Sequence, residues 1–371
     1  MAAKGIVGLI YRVLLGINVL SALGMLVTGY SHLIDPVEWS LLATVDMAFP
    51  VFLALNIVFF FFWLFIDRKT ALLPIATLLV CYSPVRTYIG INLPADIPEG
   101  TVKVMSFNVL NFHGMQSDFT DEDKDDMVDF LVKSDCDILC LQEAKETSMT
   151  KRGRERMAAK YPYSRSDCKG DTWNSISIYS KYKILRSDTI AYESKNNLSV
   201  AYILATPVGK TLVVNNHLET SHLSKDDRDN FKNMIAGDVD RDSIGKDSKN
   251  IFVTLTKSSL VRNAQVKAVA EYISRHEGMP VIVCGDFNDT PTSFNHSVMN
   301  RNLTDCFVSS GIGPGWSYCH GGLRVRIDNI LCSQHFKPYG CKVLSDVSYS
   351  DHYPIVCWLK PVSKGATDSP R

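Results

Sequence analysis

The chain has 371 residues, 46% of them apolar and 21% charged, and its 39 Lys and Arg balance 39 Asp and Glu. That length allows about two domains, and the even balance argues against a surface built throughout for nucleic acid. Ten cysteines occur with no CxxC pair and no Cys/His spacing of a zinc site, which argues against a structural zinc or a dense disulfide framework. Cys140, Cys284, Cys332 and Cys357 lie in apolar, strand-like runs where Cys acts as a small hydrophobe, and Cys81 falls in a membrane-like segment. Pairing among Cys136, Cys168, Cys306, Cys319 and Cys341 is left open.

Three apolar segments open the chain: residues 6–29, 41–66 and 71–93. A span needs about 20 apolar residues, so the first two qualify on length and the third qualifies if Pro84 is a kink. A cleavable signal peptide fits poorly, because the first stretch is too long and lacks a small-x-small site before soluble sequence. Lys4, Arg12 and the loop Asp67-Arg68-Lys69-Thr70 mark cytoplasmic ends, while residues 30–40 contain no Lys or Arg. Three spans are therefore expected, with everything after residue 95 outside the cytoplasm. If the third segment does not cross, that part stays inside.

Asn92 to Gly100, punctuated by Pro94 and Pro98, reads as a linker. Beyond it, strands are predicted at 101–108, 137–142, 175–180, 184–192, 199–206, 211–216, 281–284, 325–332, 341–347 and 353–360. The 281–284 strand is expected to stop at Gly285. Helices are predicted at 121–134, 150–160, 224–240, 258–276 and 293–301, with 242–250 as a loop. Strands with helices on both sides imply a layered α/β sandwich. The division that follows is a membrane region of about three helices (1–95), a catalytic-type domain (96–361) and a disordered polar tail (362–371).

Polar residues recur just beyond the predicted strands. Asn108 and Asn111 follow the first, Glu143 the second, and His217 and Glu219 follow Val213-Val214-Asn215-Asn216. Asp286 and Asn288 follow Val281–Cys284, on one side of the chain if extended geometry persists. Asp351-His352 precedes the last strand. Taken singly, each has a plain reading as a turn, a cap or a backbone-bonded His. Asp328, between Ile327 and Asn329-Ile330, demands more, since a buried charge needs a cation, a metal or a histidinium.

Together the motifs MSFNVLNFHG, LQE, NNHLE, GDFNDTP, RIDNIL and SDHYPI, in this order, resemble the endonuclease/exonuclease/phosphatase superfamily over about residues 101–361. The resemblance implies a four-layered α/β/β/α sandwich, here preceded by a helical transmembrane region, and Mg²⁺- or Mn²⁺-dependent phosphoester hydrolysis. It makes Glu143 the principal metal ligand, with Asn108 beside it and Asp351 as a second carboxylate on the metal side. Asp286 is implied to orient or deprotonate the attacking water, Asn288 to donate to a phosphate oxygen, and His217 to act as acid for the leaving oxygen. Asp328 is implied to orient His352, which binds the phosphate.

Two substrate classes stay open: a lipid headgroup or small phosphoester near the bilayer, or nucleic acid contacted by the basic stretch Lys151, Arg152, Arg154, Arg156 and Lys160. No obligate protein partner is evident. The 219–255 insertion is expected to overhang the site, as a substrate-selecting lid or as a plain surface loop. Trp173 and Trp316 are expected to pack at an edge rather than touch substrate.

Overall fold

Three helical stretches stand side by side at the amino end of the computed structural model, which describes residues 2–362 apart from 116–117, 171–173, 222, 225, 228, 231–243 and 321–322. Trp173, residues 363–371 and most of the 224–240 helix expectation lie outside the described residues. The first two helices are α1 (Ala2–Tyr30) and α2 (Phe49–Ile66). The stretches Gly5–Leu33 and Ser40–Ile66 are long and apolar enough to cross a membrane. Their exposed side chains include Leu9, Val13 and Leu20 on α1 and Val58, Phe61 and Phe65 on α2, a surface suited to lipid. Polar residues face inward instead. Trp63 Nε1 donates to Asn18 Oδ1 at 3.1 Å and Asn56 Nδ2 donates to Ser21 Oγ at 3.1 Å, the usual polar link between membrane helices.

The third stretch is broken into α3 (Leu72–Val80) and α4 (Tyr82–Tyr88). The break falls at Cys81, three residues before Pro84, whose ring and missing N–H bar a continuous helix there. The two halves still traverse the bundle. Ala71 packs with Phe59 and Trp63 at one end, and the Tyr88 ring meets Phe49 at 5.8 Å at the other.

The described residues from 102 onward form twelve strands: β1 (Val102–Asn108), β2 (Ile138–Gln142), β3 (Tyr163–Cys168), β4 (Ser175–Ser180), β5 (Ile184–Thr189), β6 (Leu198–Thr206), β7 (Gly209–His217), β8 (Val281–Asp286), β9 (Thr304–Asp305), β10 (Asp328–Cys332), β11 (Phe336–Val343) and β12 (Ile355–Pro361). They build two six-stranded sheets, ordered β11-β12-β1-β2-β4-β3 and β5-β6-β7-β8-β10-β9. Alternation along the strands explains the layers. Val104, Ile138, Cys140, Ile282 and Cys284 point between the sheets. Their neighbours Met105, Leu139 and Leu141 point outward under α5 (Asp121–Lys133) and α6 (Lys151–Lys160), meeting Met127, Leu131 and Met157. On the other side Val281 and Val283 meet Val266 and Val269 of α7 (Ile244–Ser274) and Val298 of α8 (Phe294–Met299). Central strands are thus buried on both faces, which is why they read as apolar runs. The result is the four-layered α/β/β/α sandwich.

Several boundaries differ from expectation. Helix α7 begins at Ile244, so the loop expected at 242–250 is helical from there on. The strand expected at 341–347 lies earlier, at Phe336–Val343. β3 was not foreseen, because Tyr-Ser-Arg-Ser-Asp-Cys is a polar and largely exposed edge strand without an apolar period. All ten cysteines are free, so no pairing forms among the five left open.

Candidate active site

The site grows from the ends of strands in both sheets. β7 and β8 run parallel and pair His217 with Asp286, while β8 and β10 run antiparallel and pair Asp286 with Asp328. Three chemically capable side chains therefore sit abreast on neighbouring strands. Gly285 makes this register possible. A Cβ there would lie 2.0 Å from the Asn216 carbonyl oxygen, and its φ of +140° suits glycine alone. The strand does not stop at Gly285, as expected, but runs through it to Asp286. Nor does extended geometry continue to Asn288. Its φ is +51°, and its backbone N–H donates to Asp286 Oδ1 at 2.8 Å, a turn that asparagine tolerates well.

The other sheet contributes Asn108 at the end of β1 and Glu143 just past β2, with Glu143 in the left-handed region at φ +47°. Such strain in a residue with a side chain costs about 1–3 kcal/mol and concentrates at functional sites. Asn108 Nδ2 donates to both Glu143 Oε1 and Asp286 Oδ2, each at 3.2 Å, and so ties the two sheets together. Ser350 Oγ donates to the Asn108 carbonyl at 2.8 Å, bringing Asp351 and His352 to the same place. His352 Nδ1 lies 2.8 Å from Asp328 Oδ2, and its Nε2 lies 3.7 Å from Asp286 Oδ2. His217 Nε2 stands 3.8 Å from both Glu143 Oε1 and Asp286 Oδ2. Glu143, His217, Asp286, Asn288, Asp351 and His352 line one cavity of about 470 Å³, and Asn108 and Asp328 stand bonded behind it.

Burial dominates the electrostatics. It pushes Glu143 upward, with the Asn108 hydrogen bond and the His352 charge pulling back. Asp286 rises to about 6 through burial, opposed by His352 and reinforced by Asp328. His352 would be lowered by burial, but Asp328 and Asp286 outweigh that and lift it to about 10. His352 is therefore cationic at neutral pH. Burial lowers His217, with the Asp286 charge pulling back.

The donor set fits a hard divalent cation. The buried Asp286 and the partly exposed Glu143 converge where, among the described residues, one amide N–H reaches both, and neither ring nitrogen of His217 makes a hydrogen bond. Oxygen-rich, acceptor-heavy sites of this kind suit Mg²⁺ or Mn²⁺. Among the described residues, Asp286, Asp328 and His352 also bring ligand atoms within 4.8 Å of one another. Asp328 and His352 are themselves paired at 2.8 Å.

Supporting residues had fainter signals. Arg262 Nε bonds Asp289 Oδ2 at 3.2 Å, and its Nη1 bonds the Glu219 carbonyl at 2.9 Å. Ser317 Oγ accepts the backbone N–H groups of Ile327 and Asp328 and fixes the start of β10. The insertion does overhang the site, since Thr220, Ser221, Leu223 and Leu255 line the cavity. Trp316 stacks beneath Arg324 at 5.3 Å and is not part of the lining. The basic helix α6 lies on the outer layer, where Arg152, Arg156 and Lys160 pair with Asp125, Asp129 and Asp135.

Fold and site together define a phosphoester hydrolase of the divalent-cation type. Residues 105–352 match the endonuclease/exonuclease/phosphatase family, and the chain belongs to that family, whose members hydrolyse phosphoester bonds with divalent metals. Residues 11–88 match a domain of unknown function (DUF8431). The fold is similar to that of an endonuclease/exonuclease/phosphatase from Beutenbergia cavernae, at 15% identity and a TM-score of 0.51 over 70% of this chain and 72% of that one. It is also similar to truncated Caenorhabditis elegans TDP2, at 16% identity and 0.50 over 71% and 99%. The human Nocturnin catalytic domain with bound sulfate gives 18% and 0.50 over 72% and 97%. No curated protein matches the chain in sequence.

Proposed function

We propose that the chain hydrolyses the phosphoester of a lipid headgroup, or of a small molecule near the membrane, by in-line attack of water. The observation that carries this reading is the convergence of Glu143, Asp286 and the His352–Asp328 pair on one wall of the cavity. A divalent cation held by Glu143, with Asn108 and Asp351 alongside, would supply Lewis-acid neutralisation of the phosphate. Asp286 orients the water and takes its proton as the water oxygen bonds to phosphorus and the bond to the leaving oxygen breaks. Cationic His352, aligned by Asp328, stabilises the charge on the phosphate oxygens. His217 donates a hydrogen bond to the leaving oxygen. Asn288, which already donates through Nδ2 to the Leu218 carbonyl at 3.1 Å, has a second amide hydrogen for a phosphate oxygen.

The cavity's basic residue among the described lining, Arg262, is committed to Asp289 and Glu219, and no Lys lines it. Among the described lining residues this favours a single phosphate over a polyanionic strand, and on α6 Arg152, Arg156 and Lys160 already pair with aspartates. A lipid or small phosphoester is the better fit. The full chain in detergent micelles, assayed side by side on sphingomyelin, phosphoinositides and plasmid DNA, tests the order. Nicking of DNA faster than turnover of either lipid would reverse it.

We further propose a membrane region over 1–95 that crosses three times and a catalytic domain over 96–361 on the extracytoplasmic side. The broken third stretch packs along α2 and along α1 from Tyr11 onward, where Tyr11 donates to Asp67 of the 67–70 loop at 2.8 Å. A reporter fused after Arg371 should be active only outside the cytoplasm; activity inside would contradict this arrangement.

A further inference from the structure

The segment joining α1 to α2 does not pack on the membrane helices alone. It also lies on the catalytic domain. Lys267 Nζ meets Asp35 at 2.6 Å and Asn263 Nδ2 donates to the same carboxylate at 3.3 Å. Ser259 Oγ donates to the Ala43 carbonyl at 3.0 Å, and Ser297 Oγ donates to the His32 carbonyl at 3.4 Å. Deepest is Asp46, only 2% exposed, whose carboxylate accepts the hydroxyl of Thr290. Thr290 belongs to the Gly285–Pro291 motif, four residues beyond Asp286 and one beyond Asp289, the partner of Arg262.

Two short turns, Ser40–Leu42 and Val45–Ala48, then carry Thr44 and Met47 to the rim of the catalytic cavity. Met47 packs against Leu223, Ile251 and Leu255 from the insertion. The cavity is thus two-sided. Carboxylates and imidazoles form one wall, and Met47, Leu223, Leu255, Leu323 and Val325 form an apolar flank. The same connector exposes Leu33, Val37, Trp39 and Leu41, with Trp39 63% and Leu41 68% accessible. Apolar groups beside two lipid-length helices, one of them Trp, mark the membrane interface. Met47 of the apolar flank and the interfacial residues therefore belong to one short segment.

We infer that the connector 31–48 is a fixed wall of the active site, anchored by Asp46 on Thr290, and that Met47 selects a substrate whose phosphoester is carried on an apolar chain rising from the bilayer. This rests on the hydrolase reading and narrows its substrate class to membrane amphiphiles. Asp46 is a positioning residue, acting through Thr290. Met47 is the specificity-determining one. Because the connector touches the catalytic domain, both lie on one face of the membrane, in keeping with three crossings.

The test uses two diesters with the same leaving group, hexadecyl p-nitrophenyl phosphate and methyl p-nitrophenyl phosphate. The full chain is reconstituted in phosphatidylcholine vesicles with Mg²⁺, and kcat/KM is measured for each. Wild type should prefer the hexadecyl ester by at least about tenfold, roughly what burying two methylenes gives. Met47→Lys should lower that ratio toward one, mainly through KM for the hexadecyl ester, and Asp46→Ala should lower it in the same direction. A ratio near one in wild type, or an unchanged ratio in Met47→Lys, would overturn the inference. If the lysine variant does not fold, Met47→Gln, of similar length, gives the same reading. Failure of wild type to cleave either ester would instead count against the hydrolase reading itself.

Discussion

Two buried aspartates in the second sheet, Asp305 and Asp286, are nearly equal in exposure and opposite in electrostatics. Asp305 is saturated. Its Oδ1 accepts the Phe307 and Val308 N–H groups at 2.8 and 3.0 Å, and its Oδ2 accepts Arg326 Nη1 at 3.0 Å with His296 Nε2 3.1 Å away. Burial alone would raise it, but Arg326 and His296 hold it well below the usual aspartate range. Asp286 receives one backbone N–H and one amide N–H, and burial lifts it to about 6. A carboxylate whose oxygens are all bonded contributes to the fold. One left short of positive charge is available to a cation or to the proton of an attacking water.

Breaking the under-bonded aspartate should therefore remove chemistry and leave the fold. Asp286→Asn is expected to cut kcat about 10²–10⁴-fold, the usual worth of a positioned base, with the urea midpoint unchanged or raised. A near-wild-type rate would remove Asp286 from the mechanism. The saturated aspartate should behave in reverse. Asp305→Ala strands Arg326 and is expected to cost roughly 3–5 kcal/mol of stability, while the folded fraction retains its turnover per molecule. Because the folded-state carboxyl is depressed, this contribution is present from around pH 5 upward and fades as pH falls toward the depressed value. Urea unfolding at several pH values should show the variant and wild type converging in acid.

Between these extremes lies Gly285→Ala. Its Cβ would clash with Asn216 O, so β7 and β8 must separate and His217 and Asp286 lose register. A loss of about 1–3 kcal/mol together with a fall in kcat is expected, and loss of one without the other would show that the close approach is not what sets the register. The smallest effect is ligand stabilisation. With Asp286 holding a proton below about 6, a divalent cation must displace that proton in acid. Mg²⁺ or Mn²⁺ should raise Tm more at pH 8 than at pH 5, and equal shifts at both would disconnect the cation from this carboxylate.

The sequence was most readable where strands are buried on both faces. Apolar runs such as Ile138–Leu141 and Val281–Cys284 announce themselves, and the polar residues at their tips stand out against them. Boundaries failed where that contrast is missing. β3 is a polar edge, and α7 starts in Ile244-Gly245-Lys246-Asp247-Ser248, which has no apolar period. Gly285 looked like a strand stop because glycine usually is one, and its role in strand approach needs a partner 69 residues away in Asn216. The connector left no signal of its own. Asp46 reads as a stray charge ahead of an apolar helix until Thr290 is beside it, and nothing local points Met47 at the cavity.

Cation dependence follows most directly from this site. Hydrolysis of bis-p-nitrophenyl phosphate by the full chain in detergent micelles should require Mg²⁺ or Mn²⁺, vanish in EDTA and return when the cation is restored in excess. Turnover that continues undiminished in EDTA would contradict it.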